Sequence, residues 1–166
     1  MSTDRPLLQL RDWRVAFGGV PVVHGLNVDI RSGEKWAIVG ESGSGKTVSA
    51  LSILRLLPDA QVSGSAVLDG RELSTLSERE MRGVRGDDVA MIFQEPMTAL
   101  NPLYAVGEQI AEVLRLKKGM APAQAHAAAV ALLASTGIAQ AERRAGAYPH
   151  QLSGGQRQRA MIAMAL

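Results

Sequence analysis

The stretch Gly40-Glu41-Ser42-Gly43-Ser44-Gly45-Lys46-Thr47 decides how this chain folds and what it can bind. It matches the pattern G-x-x-x-x-G-K-[ST], in which glycines let consecutive backbone N–H groups turn toward an anion. A lysine in the first turn of a helix opposes the helix dipole, so an anion is needed to balance it. The stretch therefore predicts a phosphate-binding P-loop, with Lys46 on the β and γ phosphates and Thr47 as a Mg²⁺ ligand. The alternative is a glycine-rich turn that merely begins a helix.

The residues on both sides of this loop predict a strand, a loop and a helix. Trp36–Val39 is a continuous apolar run, as in a strand covered on both faces. A helix is expected from about Lys46 to Leu57, where Pro58 stops it. This context is the one that a P-loop requires.

Three further strands are predicted in the first half of the chain. Leu26–Ile30 alternates apolar and polar residues, which indicates a strand with one buried face. Val67-Leu68 comes before the turn residues Asp69-Gly70, and Val89–Phe93 is another buried apolar run. The first half is therefore expected to be an α/β core.

The second half is predicted to be helical. Apolar residues from Val106 onward recur at helical spacing, and an alanine-rich helix is expected between Pro122 and Gly137. A soft boundary near Gln94 to Asn101 separates the two halves. We expect a core over residues 1–95 and a helical subdomain over residues 96–166, both parts of one domain.

A second candidate anion site lies in Leu152-Ser153-Gly154-Gly155-Gln156-Arg157-Gln158-Arg159. A serine hydroxyl and glycine N–H groups at the start of a helix can hold a γ-phosphate. The alternative is an ordinary capped helix, because Ser153 and Gln156 have the spacing of a capping box. The adjacent glycines argue against it, since each costs helix propensity of about 1 kcal/mol without structural return.

The composition limits the classes of protein to which the chain can belong. The 166 residues are 46% hydrophobic and 20% charged, which is ordinary for a globular domain with its own core. A net charge of +2, with basic residues scattered, does not indicate nucleic acid as a partner. The absence of cysteine excludes disulfides and thiolate metal sites. No signal peptide or apolar stretch long enough to span a bilayer is present, so direct membrane insertion is not expected.

Taken together, the P-loop and the Leu152–Arg159 stretch resemble the corresponding motifs of ABC-type ATPases, and the second is similar to the ABC signature. The resemblance covers essentially the whole chain and implies ATP and Mg²⁺ as cofactors. Gln94 resembles the Q-loop glutamine that touches Mg²⁺ and the attacking water, and Phe17 resembles the aromatic residue that stacks on adenine, with core packing as its alternative. The nucleotide-binding residues implied are Phe17, Gly40, Ser42, Gly43, Ser44, Gly45, Lys46, Thr47, Val48, Ser153, Gly154, Gly155 and Gln156, and the metal ligands are Thr47 and Gln94.

Two stretches, Phe93–Leu103 and Tyr148–Gln151, resemble the ATP-binding subunits of oligopeptide, dipeptide and nickel importers. This resemblance implies coupling of ATP hydrolysis to solute uptake at the cytoplasmic face of the membrane. The implied partners are a second ABC ATPase subunit or domain, in a head-to-tail dimer, and transmembrane permease subunits. The implied fold is an α/β P-loop NTPase core with an antiparallel N-terminal β part and a helical signature subdomain.

Hydrolysis in this family needs an aspartate for Mg²⁺ and a glutamate for water, both at the end of an apolar strand after the signature. Asp69 lies in a turn before the signature, and Asp87-Asp88 precedes its apolar run, so neither position matches. We therefore expect an N-terminal fragment of a longer ATPase, incomplete at its C-terminus, that is inactive alone. Two alternatives remain open: a soluble ABC ATPase of DNA repair or chromosome maintenance, and a non-hydrolysing ATP-binding or structural fragment.

Overall fold

A computed structural model of the protein describes residues 5–93 and 99–166. The chain divides into two compact units, Met1–Arg82 and Gly83–Leu166. This division falls earlier than the predicted boundary near Gln94 to Asn101. That boundary stays a prediction, because residues 94–98 lie outside the described part. Within the described ranges, no helix combines the length and the apolar character needed to cross a membrane.

The first unit is built on a four-stranded antiparallel sheet in the order β2-β1-β3-β4. The strands are β1 (Leu8–Phe17), β2 (Val20–Ile30), β3 (Ala60–Leu68) and β4 (Arg71–Glu72). The predicted alternation in the second half of β2 is confirmed, since its apolar residues are partly buried and its polar residues exposed. The sheet buries Leu10, Trp13 and Val15 of its central strand β1.

A bulge in β1 shapes the middle of this sheet. Asp12 has φ 47°, and the pairing of β1 with β3 shifts register between Arg11 and Arg14. On β3, Gly64 faces the bulge so closely that a Cβ there would lie 2.4 Å from the Asp12 carbonyl oxygen. Only glycine therefore fits opposite the bulge.

The P-loop is followed by α1 (Lys46–Ile53), as predicted, but the helix ends before Leu57. Arg55 takes φ 50°, which does not continue a right-handed helix. Its guanidinium group donates hydrogen bonds to the carbonyl oxygens of Leu73, Ser74 and Leu76 at 2.5–2.6 Å. These hydrogen bonds hold Arg55 in its non-helical conformation, so the helix ends before it reaches Pro58. The last element of the first unit is α2 (Glu78–Gly83). The final residue of this helix, Gly83, is the first residue of the second unit.

Two predicted buried strands are wrong. Trp36–Val39 forms no strand, and Trp36 and Val39 are 55% and 92% exposed. Val89–Phe93 makes one isolated bridge, between Arg85 and Val89, and Phe93 is 49% exposed. A strand needs a hydrogen-bonding neighbour, and neither run pairs with a strand among the described residues. The apolar pattern predicted that these two segments are buried, but it carried no information about which strand would pair with them.

The second unit is helical, as predicted. Its helices are α3 (Val106–Lys118), α4 (Pro122–Ser135), α5 (Ala141–Ala145) and α6 (Gly154–Ala165), with irregular turns at Val84–Asp88 and Pro149–Gln151. Pro122 opens α4 and Gly137, at φ 80°, follows its end. The helices enclose a core of alanine, leucine, isoleucine, valine and methionine side chains. Its buried members are Leu100, Val106, Ile110, Ala111, Ala125, Ala129, Leu133, Ile138, Ala141, Ala145, Leu152, Ala160, Met161 and Ala163.

Candidate functional site

The P-loop is an exposed loop that leads directly into α1. Gly43 and Gly45 have φ values of 84° and 85°, in the left-handed region that favours glycine. Gly45 is the N-cap of α1, and a Cβ on it would lie 3.1 Å from the carbonyl oxygen of Val22 in β2. Glycine is therefore required at position 45 both by conformation and by the approach of β2.

The Lys46 side chain folds back over the loop. Its ammonium group donates hydrogen bonds to the carbonyl oxygens of Gly40 (2.7 Å) and Glu41 (2.6 Å) and to the hydroxyl of Ser44 (3.3 Å). A Cβ on Gly40 would approach Ser44 Oγ to 2.7 Å. Position 40 therefore has to stay small for Ser44 and Lys46 to meet. These hydrogen bonds hold the positive charge of Lys46 against the P-loop.

The start of α1 fits a phosphate group. No side chain caps the helix, and its first turn contains no acidic residue. Its first N–H groups and positive dipole end are thus available to an anion. Thr47 is exposed and Val48 partly exposed, so the Thr47 hydroxyl is open to a metal ion beside that anion. A cation, unsatisfied N–H groups and a free hydroxyl form a donor set suited to a magnesium-bound polyphosphate.

An apolar cavity of about 780 Å³ adjoins the loop. It is lined by residues of β1, β2, the Trp36–Val39 segment and α1, and Gly40, Ser44 and Lys46 belong to the lining. Phe17 does not line this cavity. That residue ends β1, pairs with Val20 and Ala60, and is partly buried.

The Ser153–Gln156 stretch begins α6 in the second unit. Ser153 Oγ accepts a hydrogen bond from the Gln156 N–H at 3.3 Å, and Gln156 Oε1 accepts one from the Ser153 N–H at 3.1 Å. The capping box considered in the sequence is therefore formed. Gly154 and Gly155 are exposed, and a Cβ on either would meet nothing within 4 Å. Nothing in the described part of this chain requires glycine at these two positions.

The structure thus gathers the predicted residues Gly40 to Val48 in the first unit and the predicted residues Ser153 to Gln156 in the second. Gln94 lies outside the described residues. Sequence reasoning missed Glu41, whose backbone oxygen holds Lys46. A backbone acceptor leaves no trace in residue type, so no sequence signal could have found it. Among the described residues, no histidine or acidic cluster could hold a metal ion by protein ligands alone.

Comparison with known proteins identifies the class. The ABC transporter family matches residues 23–166, and the chain belongs to this family. The predicted fold class and family are therefore confirmed. The chain is similar to a solved structure of the ATP-binding cassette MJ0796, described as a dimer in a post-hydrolysis state bound to ADP and phosphate. The TM-score is 0.83 with 28% identity, covering 96% of this chain and 68% of that one.

Curated relatives point to a narrower group. The chain is 52% identical to the peptidoglycan transport ATP-binding protein YejF of Agrobacterium fabrum, over 99% of this chain and 32% of that protein. It is 48% identical to the oligopeptide transport ATP-binding protein OppD of Salmonella typhimurium, over 96% of this chain and 49% of that protein. The chain thus spans between a third and a half of the length of these relatives. Both are named as transport proteins, which agrees with the predicted subfamily.

Proposed function

We propose that this chain is the ATP-binding part of the motor subunit of an ABC importer for peptides or similar solutes. The observation that carries the proposal is the Lys46 ammonium group, held by two loop carbonyl oxygens at the uncapped start of α1. A cation in this place gains charge-assisted hydrogen bonds when a phosphate displaces the neutral carbonyls. The name of OppD supports oligopeptides as the transported class, and the name of YejF, a peptidoglycan transport protein, supports a similar solute.

In this proposal the loop residues Gly40 and Ser42 to Val48 hold the triphosphate of ATP. Lys46 contacts its β and γ phosphates, and the Thr47 hydroxyl and Gln94 are ligands of Mg²⁺. Phe17 stacks on the adenine ring, which suits an aromatic residue at the end of a strand. The bound nucleotide supplies the free energy for transport, and this chain's residues bind and orient it.

The signature residues Ser153 to Gln156 are proposed to contact the nucleotide held by a second ABC subunit. The open space around Gly154 and Gly155 supports this role, because bare glycines at a capped helix start permit close approach of another surface. The dimeric state in the description of MJ0796 supports the same arrangement. Transmembrane permease subunits are the second proposed partner, and they would hold the protein at the cytoplasmic face of the membrane.

Residues 1–166 are proposed to bind MgATP with negligible turnover. Hydrolysis requires a group that polarises the attacking water, and neither Asp69 nor Asp87-Asp88 has the family's position for it. In an importer, hydrolysis of the bound ATP would be coupled to transport.

Nucleotide titration of the purified chain tests the proposal. We expect Lys46→Ala to weaken ATP binding by about 100-fold or more, since charged hydrogen bonds to phosphate contribute about 1.5–3 kcal/mol each. Lys35→Ala is the matched control, because Lys35 is an exposed lysine of the same unit outside the loop. Equal affinities of the two variants would refute the assignment. Phosphate release is measured in the same samples, and Lys46-dependent turnover would refute the proposed inactivity.

A further inference from the structure

A buried hydrogen bond joins the central strand of the sheet to the P-loop helix. The Trp13 indole N–H donates to Ser52 Oγ at 2.9 Å. Trp13 is 2% exposed and Ser52 is fully buried. Strand β1 and helix α1 are therefore linked by a polar contact that water does not reach.

The bond continues along α1 toward the P-loop. Ser52 Oγ donates to the carbonyl oxygen of Ser49 at 2.9 Å, and Ser49 Oγ donates to the carbonyl oxygen of Gly45, also at 2.9 Å. Gly45 is the N-cap of α1 and directly precedes Lys46. Three hydrogen bonds thus link Trp13 to Gly45 by way of Ser52 and Ser49, with Ser49 accepting at its backbone oxygen and donating from its hydroxyl.

Helix propensity does not explain these two serines. Serine is a weaker helix former than alanine or leucine, because its hydroxyl competes for backbone groups. Both serines are nevertheless buried in a helix of eight residues. The hydroxyl groups of both serines take part in this chain of hydrogen bonds. These hydrogen bonds account for serine at the two positions.

Helix α1 also packs on β1, β2 and β3, and the Trp13–Ser52 bond adds a side-chain hydrogen bond to that packing. The Val22 carbonyl oxygen of β2 limits the approach of Gly45 on one side. The Trp36–Val39 segment that leads into the loop forms no strand and is exposed. The Trp13-to-Gly45 chain therefore adds a directional contact between the sheet and the helix that carries Lys46.

We propose that Trp13, Ser52 and Ser49 are positioning residues, which hold the start of α1 and Lys46 in place for a polyphosphate. The inference rests on the proposed function of the P-loop. None of the three side chains has to touch the ligand. Their contribution appears as affinity for the phosphate part of ATP.

The test compares polyphosphate affinity with stability. Ser52→Ala removes the acceptor and leaves a buried indole N–H unpaired, so both stability and affinity should fall. We expect the Kd for tripolyphosphate and for ATP to rise about three- to tenfold, the range of one net hydrogen bond. Ser135→Ala is the control, since it removes a serine hydroxyl that bonds the i−3 carbonyl at 2.8 Å in α4. Its Kd should equal that of the wild type.

The double variant Trp13→Phe with Ser52→Ala separates positioning from stability. It removes donor and acceptor together, so no buried polar group is left unpaired, but the smaller phenylalanine ring leaves a cavity, and the melting temperature reports the balance of these two effects. The Kd should stay raised, because the link to Gly45 remains broken. If the Kd of the double variant returns to the wild-type value, or if Ser52→Ala binds tripolyphosphate like the wild type, the positioning role is overturned. Absence of binding by the wild type itself would overturn the proposed function, and the positioning role with it.

Should Ser52→Ala fail to fold, Trp13→Phe alone decides the question. Because phenylalanine is smaller and leaves a cavity, the control is Val15→Ala, which makes a cavity at another buried residue of β1 and whose Kd should equal that of the wild type. Trp13→Phe keeps an aromatic ring in the core and both serine hydroxyls, and removes the link to β1. A raised Kd in this variant supports the positioning role, and an unchanged Kd overturns it.

Discussion

Gly107→Ala should destabilise the helical unit, although alanine is the better helix former. Gly107 is the second residue of α3, and a Cβ there would lie 2.7 Å from the Cβ, 2.9 Å from the oxygen and 3.0 Å from the Cα of Ala145. Two of these atoms are backbone, so α5 would have to move. Overpacking of this kind costs about 3 kcal/mol at the upper end of its range, and the gain in helix propensity offsets about 1 kcal/mol. The net loss should be about 2 kcal/mol.

The matched control is Gly155→Ala. Gly155 is likewise the second residue of its helix, α6, in the same unit, but a Cβ there meets nothing within 4 Å. This change should leave stability equal or raise it by up to about 1 kcal/mol. Urea unfolding followed by circular dichroism at 222 nm measures both. With a slope of about 2 kcal/mol per molar, Gly107→Ala should lower the midpoint by about 1 M. A midpoint for Gly107→Ala equal to or above that of Gly155→Ala would refute the close packing of α3 on α5.

Two other changes probe the signature and the sheet. Gly154→Asp places a carboxylate where the proposed γ-phosphate of a second subunit lies, and two charges 4 Å apart repel by about 4 kcal/mol at an interface. Sedimentation should therefore show loss of MgATP-dependent dimerisation, while the ATP affinity of the monomer is kept. Equal loss of dimerisation and of monomer ATP affinity would contradict a two-subunit site. In β4, burial alone would raise the pKa of Glu72, but hydrogen bonds from Ser65, Ser74 and the Ala66 N–H lower it to about 2. Because the pKa is lowered, the carboxylate stabilises the fold fully above pH 4.5, and that stability is lost as the pH falls from about 4.5 to 2. Allowing for solvent screening of this partly exposed group, Glu72→Gln should remove about 1–2 kcal/mol of pH-dependent stability; an unchanged acid unfolding curve would show that these hydrogen bonds do not matter.

Local patterns predicted those parts of the fold that depend on local interactions. The alternation of Leu26–Ile30 marked one face of β2. The spacing of Ser153 and Gln156 offered a capping box as the alternative to an anion site, and the structure contains that capping box. Both features are complete within a few residues, so nearby sequence determines them. Trp36–Val39 failed as a strand because pairing requires a distant neighbour, which no local pattern supplies.

The candidate site was predicted as a set of residues but not as a geometry. Lys46 and the loop glycines follow from the P-loop pattern, yet the carbonyl oxygens of Gly40 and Glu41 that hold Lys46 could not be inferred from residue types. The link from Trp13 to Ser52 joins residues 39 positions apart. Such a contact becomes visible only when the sheet and α1 are placed together.

Amide hydrogen exchange with and without MgATP can locate the nucleotide on the chain, because backbone N–H groups bonded to phosphate exchange more slowly. We expect slower exchange across residues 40–48 of the wild type, where backbone N–H groups would bond to phosphate oxygens. The same peptides of Lys46→Ala should show no protection at the same MgATP concentration. Unchanged exchange at residues 40–48 under saturating MgATP, or protection that persists in Lys46→Ala, would contradict a P-loop nucleotide site.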